Sequence, residues 1–212
     1  MIKKTLGKIF GFYRLPLYII VRPIDGFYVM KYEKQGTLRL AIFNFLLVCI
    51  AFALNNQYTS LIVNPRHPLT LNSLRDFYII VIALLLFCIG NWSVTCLTNG
   101  EGRFKDIIMA VCYAVTPLIL TLIPATILSN FISYEETGFY HMILSVGMFY
   151  FVFLVFIGLL TVHNYTVVKA IATIFLTVIA ILVIVFLVSL LSTMWQQLVS
   201  FVMSIYTELI FR

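Results

Sequence analysis

Residues 170–192 read AIATIFLTVIAILVIVFLVSLLS and contain no charged side chain. A helix needs about 20 mostly apolar residues to cross the hydrocarbon core of a bilayer, so this run is long enough to cross it. Four earlier stretches have the same character. The predicted spans are residues 39–63, 77–98, 107–131, 139–161 and 169–192. The sequence therefore predicts an all-α fold, a polytopic membrane helical bundle with five transmembrane helices.

The overall composition excludes an ordinary soluble protein. Hydrophobic residues make up 62% of the 212 residues and charged residues only 10%, against roughly 25% charged in a soluble domain. The cysteines lie inside or at the edge of apolar runs and show no C-x-x-C spacing, so neither a disulfide framework nor a zinc site is predicted. They are Cys49, Cys88, Cys96 and Cys112. No cofactor is expected.

The basic residues predict the orientation. Eight of the 14 precede the first long apolar run, and Arg103, Lys105 and Lys169 lie where the chain returns to the same side. Three basic residues fall on the other side, and the side richer in Lys and Arg is the cytoplasmic one. The chain is therefore predicted to lie in the cell membrane with its amino terminus in the cytoplasm and its carboxyl terminus outside. The positive net charge is a topology signal, and no nucleic-acid partner is expected.

The amino-terminal segment, residues 1–38, is basic and amphipathic. On a helical wheel its apolar side chains share one face, and Lys3, Lys4, Lys8 and Arg14 cluster opposite. This pattern is typical of a helix in the headgroup layer of an anionic inner leaflet. The alternative is a basic anchor that is not helical.

The carboxyl-terminal segment, residues 193–212, is also predicted as an amphipathic helix. Trp195, Leu198 and Val202 begin an apolar repeat with a spacing of three and four residues. The segment could lie on the outer surface, or it could extend the fifth helix into a partner. It could also form a sixth span, because no charge occurs between Lys169 and Glu208.

Catalytic chemistry is not found. The interiors of the predicted spans contain no ionisable residue, which argues against an ion-coupled transporter. Glu135 and Glu136 resemble the start of the EExxxR signature of intramembrane CAAX-type proteases, but Tyr140 stands where that signature has arginine. The pair is also predicted to face outward. The protein is therefore not expected to be an enzyme.

Polar and helix-breaking residues are concentrated around the second and third spans. Tyr113, Pro117 and Pro124 predict a kink in the third span. The turn before it combines glycines with charges of both signs, so a rigid turn that docks a partner is predicted. The residues assigned to this docking site are Asn91, Trp92, Gly100, Glu101, Gly102, Arg103, Lys105 and Asp106. The alternatives are helix packing for the polar residues and a simple connector for the turn.

The order and spacing of these short motifs resemble a known family. Asn91-Trp92, then the run 99–106 (NGEGRFKD), then the run 113–117 (YAVTP), resemble the bacterial branch of the Yip (Ypt-interacting-protein) domain family, and so does the run 22–27 (RPIDGF). The resemblance covers residues 20–192 and implies five spans with a cytoplasmic amino terminus. Eukaryotic members work with Rab-type GTPases, but their Asp-Leu-Tyr-Gly-Pro motif is absent here. Bacterial members resemble accessory subunits, some of them tied to ABC-type transporters.

These observations favour a non-catalytic membrane adaptor or accessory protein. It would bind another membrane complex, such as an ABC-type transporter, through its helices and short cytoplasmic loops. One alternative is a small transporter or channel in its own right. The other is a membrane-shaping or trafficking protein that acts through its amphipathic ends.

Overall fold

The computed structural model describes residues 14–64 and 72–211, and within these ranges the chain contains helices and no strand. The helices are α1 (residues 14–21), α2 (Pro23–Lys31), α3 (Leu38–Tyr58), α4 (Ser73–Thr98), α5 (Phe104–Ala114), α6 (Thr116–Ser129), α7 (Thr137–His163) and α8 (Val167–Ile210). A short 3-10 helix, Tyr134–Glu136, precedes α7. Lys3, Lys4 and Lys8 of the predicted membrane-surface helix lie outside the described residues, and Arg14 is exposed at the start of α1.

Within the part of the chain that the structure describes, five helical units are long and apolar enough to cross a membrane, which confirms the predicted all-α, five-span fold. They are Leu38–Tyr58, Ser73–Thr98, Phe104–Ser129, Tyr134–His163 and Val167–Ile210. The first ends five residues earlier than predicted, because Thr59 takes an extended conformation and its N–H bonds back to the Asn55 carbonyl. The third span is the most buried of the five and the fifth is the least buried.

The third span is broken in the middle, at Val115, between α5 and α6. Asn44 of α3 donates to the Cys112 carbonyl at 2.7 Å, and the Thr116 hydroxyl donates to the Tyr113 carbonyl at 2.6 Å. These bonds satisfy backbone groups that a helix break exposes, as the bilayer requires. The predicted kink is therefore a helix break two residues before Pro117, whereas Pro124 lies inside α6 without interrupting it.

The bundle is built around the broken span. Helices α5 and α6 pack against both α3 and α7, and α8 packs mainly on α4. Near the carboxyl end of α3, the Asn55 amide donates to the hydroxyls of Thr126 and Tyr140, at 2.9 and 3.0 Å. Polar contacts therefore join α3 to α6 and α7 at this end of the bundle.

The last helix is much longer than a span. Its 44 residues extend about 66 Å at 1.5 Å per residue, against about 40–45 Å for a whole bilayer with its headgroups. The carboxyl-terminal segment from residue 193 is helical and continues α8 without a break, as in the alternative in which it extends the fifth helix. The helix continues because no glycine or proline occurs between Val167 and Ile210 to end it.

Candidate functional site: the turn between α4 and α5

The turn begins with an asparagine in the left-handed conformation. Asn99 caps α4 at φ 51°, a region that asparagine tolerates better than most residues. The Gly100 N–H then bonds back to the Thr95 carbonyl at 3.2 Å. On the other side, the Arg103 N–H donates to the Asp106 carboxylate at 3.2 Å, which caps the start of α5. Both ends of the turn are therefore fixed to the helices they connect.

The two glycines are needed because other groups approach them closely. A Cβ at Gly102 would lie 2.5 Å from His163 Cε1 and 2.9 Å from Val162 Cγ1. At Gly100 a Cβ would meet the Tyr165 hydroxyl and would lie 2.8 Å from His163 Nδ1. Neither glycine has a positive φ. Glycine is therefore needed at these two positions because the turn lies directly against the end of α7.

A chain of hydrogen bonds runs from the turn into the bundle. The Gly102 N–H donates to His163 Nδ1 at 3.3 Å, so Nδ1 must be the unprotonated nitrogen of this ring. The other nitrogen, Nε2, then donates to Asn91 Oδ1 at 3.1 Å. The Asn91 amide donates to Thr177 Oγ1 on α8 at 3.2 Å. His163, Asn91 and Thr177 are all buried, so this chain joins the turn to three helices out of contact with solvent.

The amino-terminal part of the chain also reaches the turn. Lys31, at the end of α2, donates to the Val162 carbonyl at 2.7 Å and lies 3.8 Å from the Glu101 carboxylate. A cation at a helix carboxyl terminus is favourable, because unpaired carbonyls carry partial negative charge there. Lys31 therefore joins the end of α7 to the turn, and Glu101 is engaged within the protein.

Tyr165 holds the opposite side of the turn. Its hydroxyl lies 2.6 Å from the Thr98 hydroxyl at the end of α4, and its ring stacks on His163 with centroids 5.1 Å apart. The Lys169 ammonium lies over the Tyr165 ring, 4.5 Å from its centroid, in a cation–π contact. Tyr165 therefore contacts the end of α4, the end of α7 and the start of α8.

The outer surface of the turn is basic and aromatic. Arg103 and Lys105 are exposed, and Trp92 on α4 is 46% exposed. The Trp92 ring packs edge-on against Phe104 with centroids 5.8 Å apart. Amphipathic aromatic rings of this kind are enriched where the bilayer meets water. The surface formed by Trp92, Arg103, Phe104 and Lys105 is called the basic-aromatic surface below.

A model of the Yip1 domain family matches residues 17–190, which is most of the chain. The chain belongs to the Yip1 domain family. Searches among curated proteins and among solved structures gave no match. The matched range begins inside α1 and ends inside α8, so the α4–α5 turn and the α1–α2 segment both belong to the Yip1 domain.

The predicted docking residues fall into two groups: those that hold the turn from inside and those that face outward. Asn91, Gly100 and Gly102 fix the turn from within, while Glu101 pairs with Lys31 and Asp106 caps α5. Trp92, Arg103 and Lys105 are the predicted docking residues that face outward. Tyr113 and Pro117 lie deeper in the bundle, at the helix break, and do not belong to this site.

The sequence did not point to His163, Tyr165 or Lys31 as parts of this site. His163 lies beyond the predicted fourth span, residues 139–161, whereas in the structure it is the last residue of α7 and is buried. One signal was available: Asn164 follows it, and asparagine is favoured as the left-handed residue that ends a helix. Among the described residues no cluster of His, Cys, Asp or Glu could hold a metal ion.

Proposed function

We propose that this Yip1-domain protein is a non-catalytic membrane adaptor that binds another membrane complex through the basic-aromatic surface. In this proposal it lies in the cell membrane with its amino terminus in the cytoplasm. The asymmetry of the basic residues supports that orientation. The resemblance of the motifs to bacterial members of the family supports an ABC-type transporter as the partner.

The observation that carries the proposal is a fixed backbone with outward-facing charges. His163, Tyr165 and Lys31 hold the turn from inside, so little conformational entropy would be lost when a partner binds. Arg103 and Lys105 remain exposed beside Trp92. A simple connector between two helices would not need a buried histidine and two space-limited glycines to hold it.

The chemistry of the surface indicates what the partner presents. Two cationic side chains next to aromatic rings at the edge of the bilayer fit carboxylates at the cytoplasmic ends of a partner's helices. Arg103 can bind a carboxylate through two nitrogen atoms, and the Trp92 ring can cover apolar surface at the level of the headgroups.

The test replaces the exposed charges and leaves the internal contacts intact. The variant Arg103→Ala/Lys105→Ala should express and insert normally but should recover much less partner after extraction in mild detergent, as measured by mass spectrometry. Glu101 is not used, because its replacement would also break the pair with Lys31.

The matched control is Lys34→Ala/Arg39→Ala, which removes two exposed basic residues from the same side of the protein. This control should recover the partner at the wild-type level. Equal recovery by both double variants and the wild type would show that the turn is only a connector. Equal loss in both double variants would show a general charge effect instead of a docking site.

A further inference from the structure

Helices α1 and α2 form a tight hairpin. The chain reverses around Arg22 and Pro23, and Gly26 packs directly on Ile19, where a Cβ would lie 2.7 Å from the Ile19 side chain. Arg14 and Leu15 at the start of α1 line the same surface depression as Glu33, which follows α2. The two ends of the hairpin are therefore close together, and residues 21–24 form its tip.

The hairpin lies along α7, and its contacts with that helix show how far it reaches into the membrane. Lys31 bonds to the Val162 carbonyl at the end of α7, and the Phe27 ring packs against Gly158. Farther along, the Tyr150 hydroxyl donates to the Ile20 carbonyl at 2.5 Å. Tyr150 precedes Val162 by 12 residues, which corresponds to about 18 Å along a helix axis. The Lys31 and Tyr150 side chains account for part of this distance, because the nine residues of α2 extend only about 12 Å. The tip therefore lies about 12 Å deeper than the base of the hairpin.

This depth places the tip among acyl chains. The 27 residues of α7 extend about 40 Å, which matches the full thickness of a bilayer with its headgroups, about 40–45 Å. Val162 then lies near one surface. The headgroup layer accounts for only about 5–7 Å on each side, so the tip, about 12 Å below the base of the hairpin, lies roughly 5–7 Å inside the hydrocarbon. The tip does not pass the midplane.

The chemistry of the tip agrees with a lipid environment. Its exposed side chains are mostly apolar, with Val21 78% and Ile24 60% exposed. The Arg22 N–H bonds to the Tyr18 carbonyl at 2.8 Å and the Gly26 N–H to the Arg22 carbonyl at 2.8 Å. Pro23 has no N–H to satisfy, which suits a turn in a medium without water.

We infer that α1 and α2 are a re-entrant hairpin whose tip, residues 21–24, is embedded in the acyl chains of one leaflet. The leaflet is the one on the side of the α4–α5 turn, whichever way the protein faces. Two charged residues lie at or beside the tip. Arg22 has a long stem that allows its guanidinium to reach back toward the phosphates of that leaflet, and the exposed Asp25 lies in the first turn of α2, on the side of the tip nearer the headgroups. This inference does not depend on the adaptor proposal, and its test does not require a partner.

The test measures depth by tryptophan fluorescence in vesicles. Trp92 and Trp195 are replaced by phenylalanine, and one tryptophan is introduced as Val21→Trp or, separately, Ile24→Trp. Tyr32→Trp marks the base of the hairpin and Leu85→Trp, at an exposed position in the middle of α4, marks the bilayer centre. The vesicles contain phospholipids brominated near the headgroup, at mid-chain or near the acyl terminus, and acrylamide is the aqueous quencher.

Both tip variants should be quenched most strongly by lipids brominated at mid-chain and several-fold less by acrylamide than Tyr32→Trp. Leu85→Trp should respond most to bromine near the acyl terminus. If both tip variants respond like Tyr32→Trp, the hairpin lies in the headgroup layer or in water, and the inference is wrong. A response equal to that of Leu85→Trp would also overturn it, because the tip would then reach the midplane. Circular dichroism of each variant establishes that it is folded.

Discussion

The histidine at the end of α7 organises the turn more than any residue within the turn itself. His163 accepts from the Gly102 backbone with one nitrogen and donates to Asn91 with the other. Both interactions are satisfied only by the neutral ring with its proton on Nε2. The buried His163 side chain thus fixes both the backbone of the α4–α5 turn and the Asn91 amide of α4.

Replacing Gly102 by alanine tests how closely the turn packs. The new Cβ would lie 2.5–2.6 Å from the His163 ring, which is hydrogen-bonded on both sides and cannot move aside easily. Overpacking of this kind costs about 1–3 kcal/mol. We expect Gly102→Ala to lower the melting temperature in detergent by several degrees, as measured by the loss of monodisperse protein on heating.

The control for this variant is Gly138→Ala at the start of α7. A Cβ there has nothing within 4 Å, and alanine is the better helix former. The melting temperature of Gly138→Ala should be unchanged or slightly higher. Equal stability of the two variants would show that the turn has room to move.

The sequence points to the two glycines of a rigid turn but not to the physical reason for them. The left-handed residue is Asn99, and the glycines provide space. Space depends on which side chains arrive from elsewhere. His163 and Tyr165 are more than 60 residues away in the chain, so no local pattern could predict their contact with the turn.

The break between α5 and α6 also depends on a contact from a residue that is distant in the sequence. Proline at position 117 predicts a disturbed helix, but the position of the break is set by Asn44 and Thr116, which satisfy the carbonyls exposed there. Tyr113 adds a link to α3, since its hydroxyl accepts from the Thr37 N–H at 3.2 Å and donates to the Thr37 carbonyl at 3.1 Å. The sequence predicts the kink, and tertiary contacts determine its place.

Tyr113→Phe tests this link between elements. The substitution removes both bonds to Thr37, at the start of α3, and each typically contributes about 1 kcal/mol. We expect a lower melting temperature and faster hydrogen exchange of the amides at the start of α3. Tyr134→Phe, which removes the hydroxyl of an exposed tyrosine near the other surface, should change neither quantity. Unchanged exchange in Tyr113→Phe would contradict the proposed link.

The long last helix, α8, has a part that packs against the bundle and a part that is exposed. Ala170, Thr173 and Thr177 are buried against the bundle, whereas every described residue from Val185 to Phe211 is exposed. Ending the chain after Ser192 should therefore leave the melting temperature unchanged. Ending it after Thr166 removes all of α8 and should destabilise the protein strongly. A marked loss of stability in the first truncation would show that residues 193–212 do contact the fold.

The orientation of the molecule can be tested by labelling with a membrane-impermeant maleimide. In a Cys96→Ser background, a cysteine at Asn72 or appended after Arg212 should be labelled in intact cells. A cysteine at Lys105 should react only after permeabilisation, because the excess of basic residues predicts a cytoplasmic position. Labelling of Lys105→Cys in intact cells would reverse the proposed orientation. Failure only of the cysteine after Arg212 would indicate that the carboxyl-terminal part of α8 returns across the membrane.

Most of the large-scale architecture follows from the sequence. The long apolar runs predict five helices, because length and hydropathy are local properties that the bilayer selects directly. The α1–α2 hairpin was not predicted, since its helices are too short for a span. Its depth depends on contacts with Tyr150 and Gly158 in α7, which lie more than 120 residues later in the chain.

The buried hydrogen-bond chain also has a consequence for how the protein is made. Asn91 is synthesised 72 residues before His163 and 86 residues before Thr177. At a translation rate of about 5–20 residues per second, the delay before His163 is roughly 4–14 s. During this interval the Asn91 amide must use other partners, such as water near the headgroups or the insertion machinery. The second span should therefore reach its final packing only after the fourth span has been delivered.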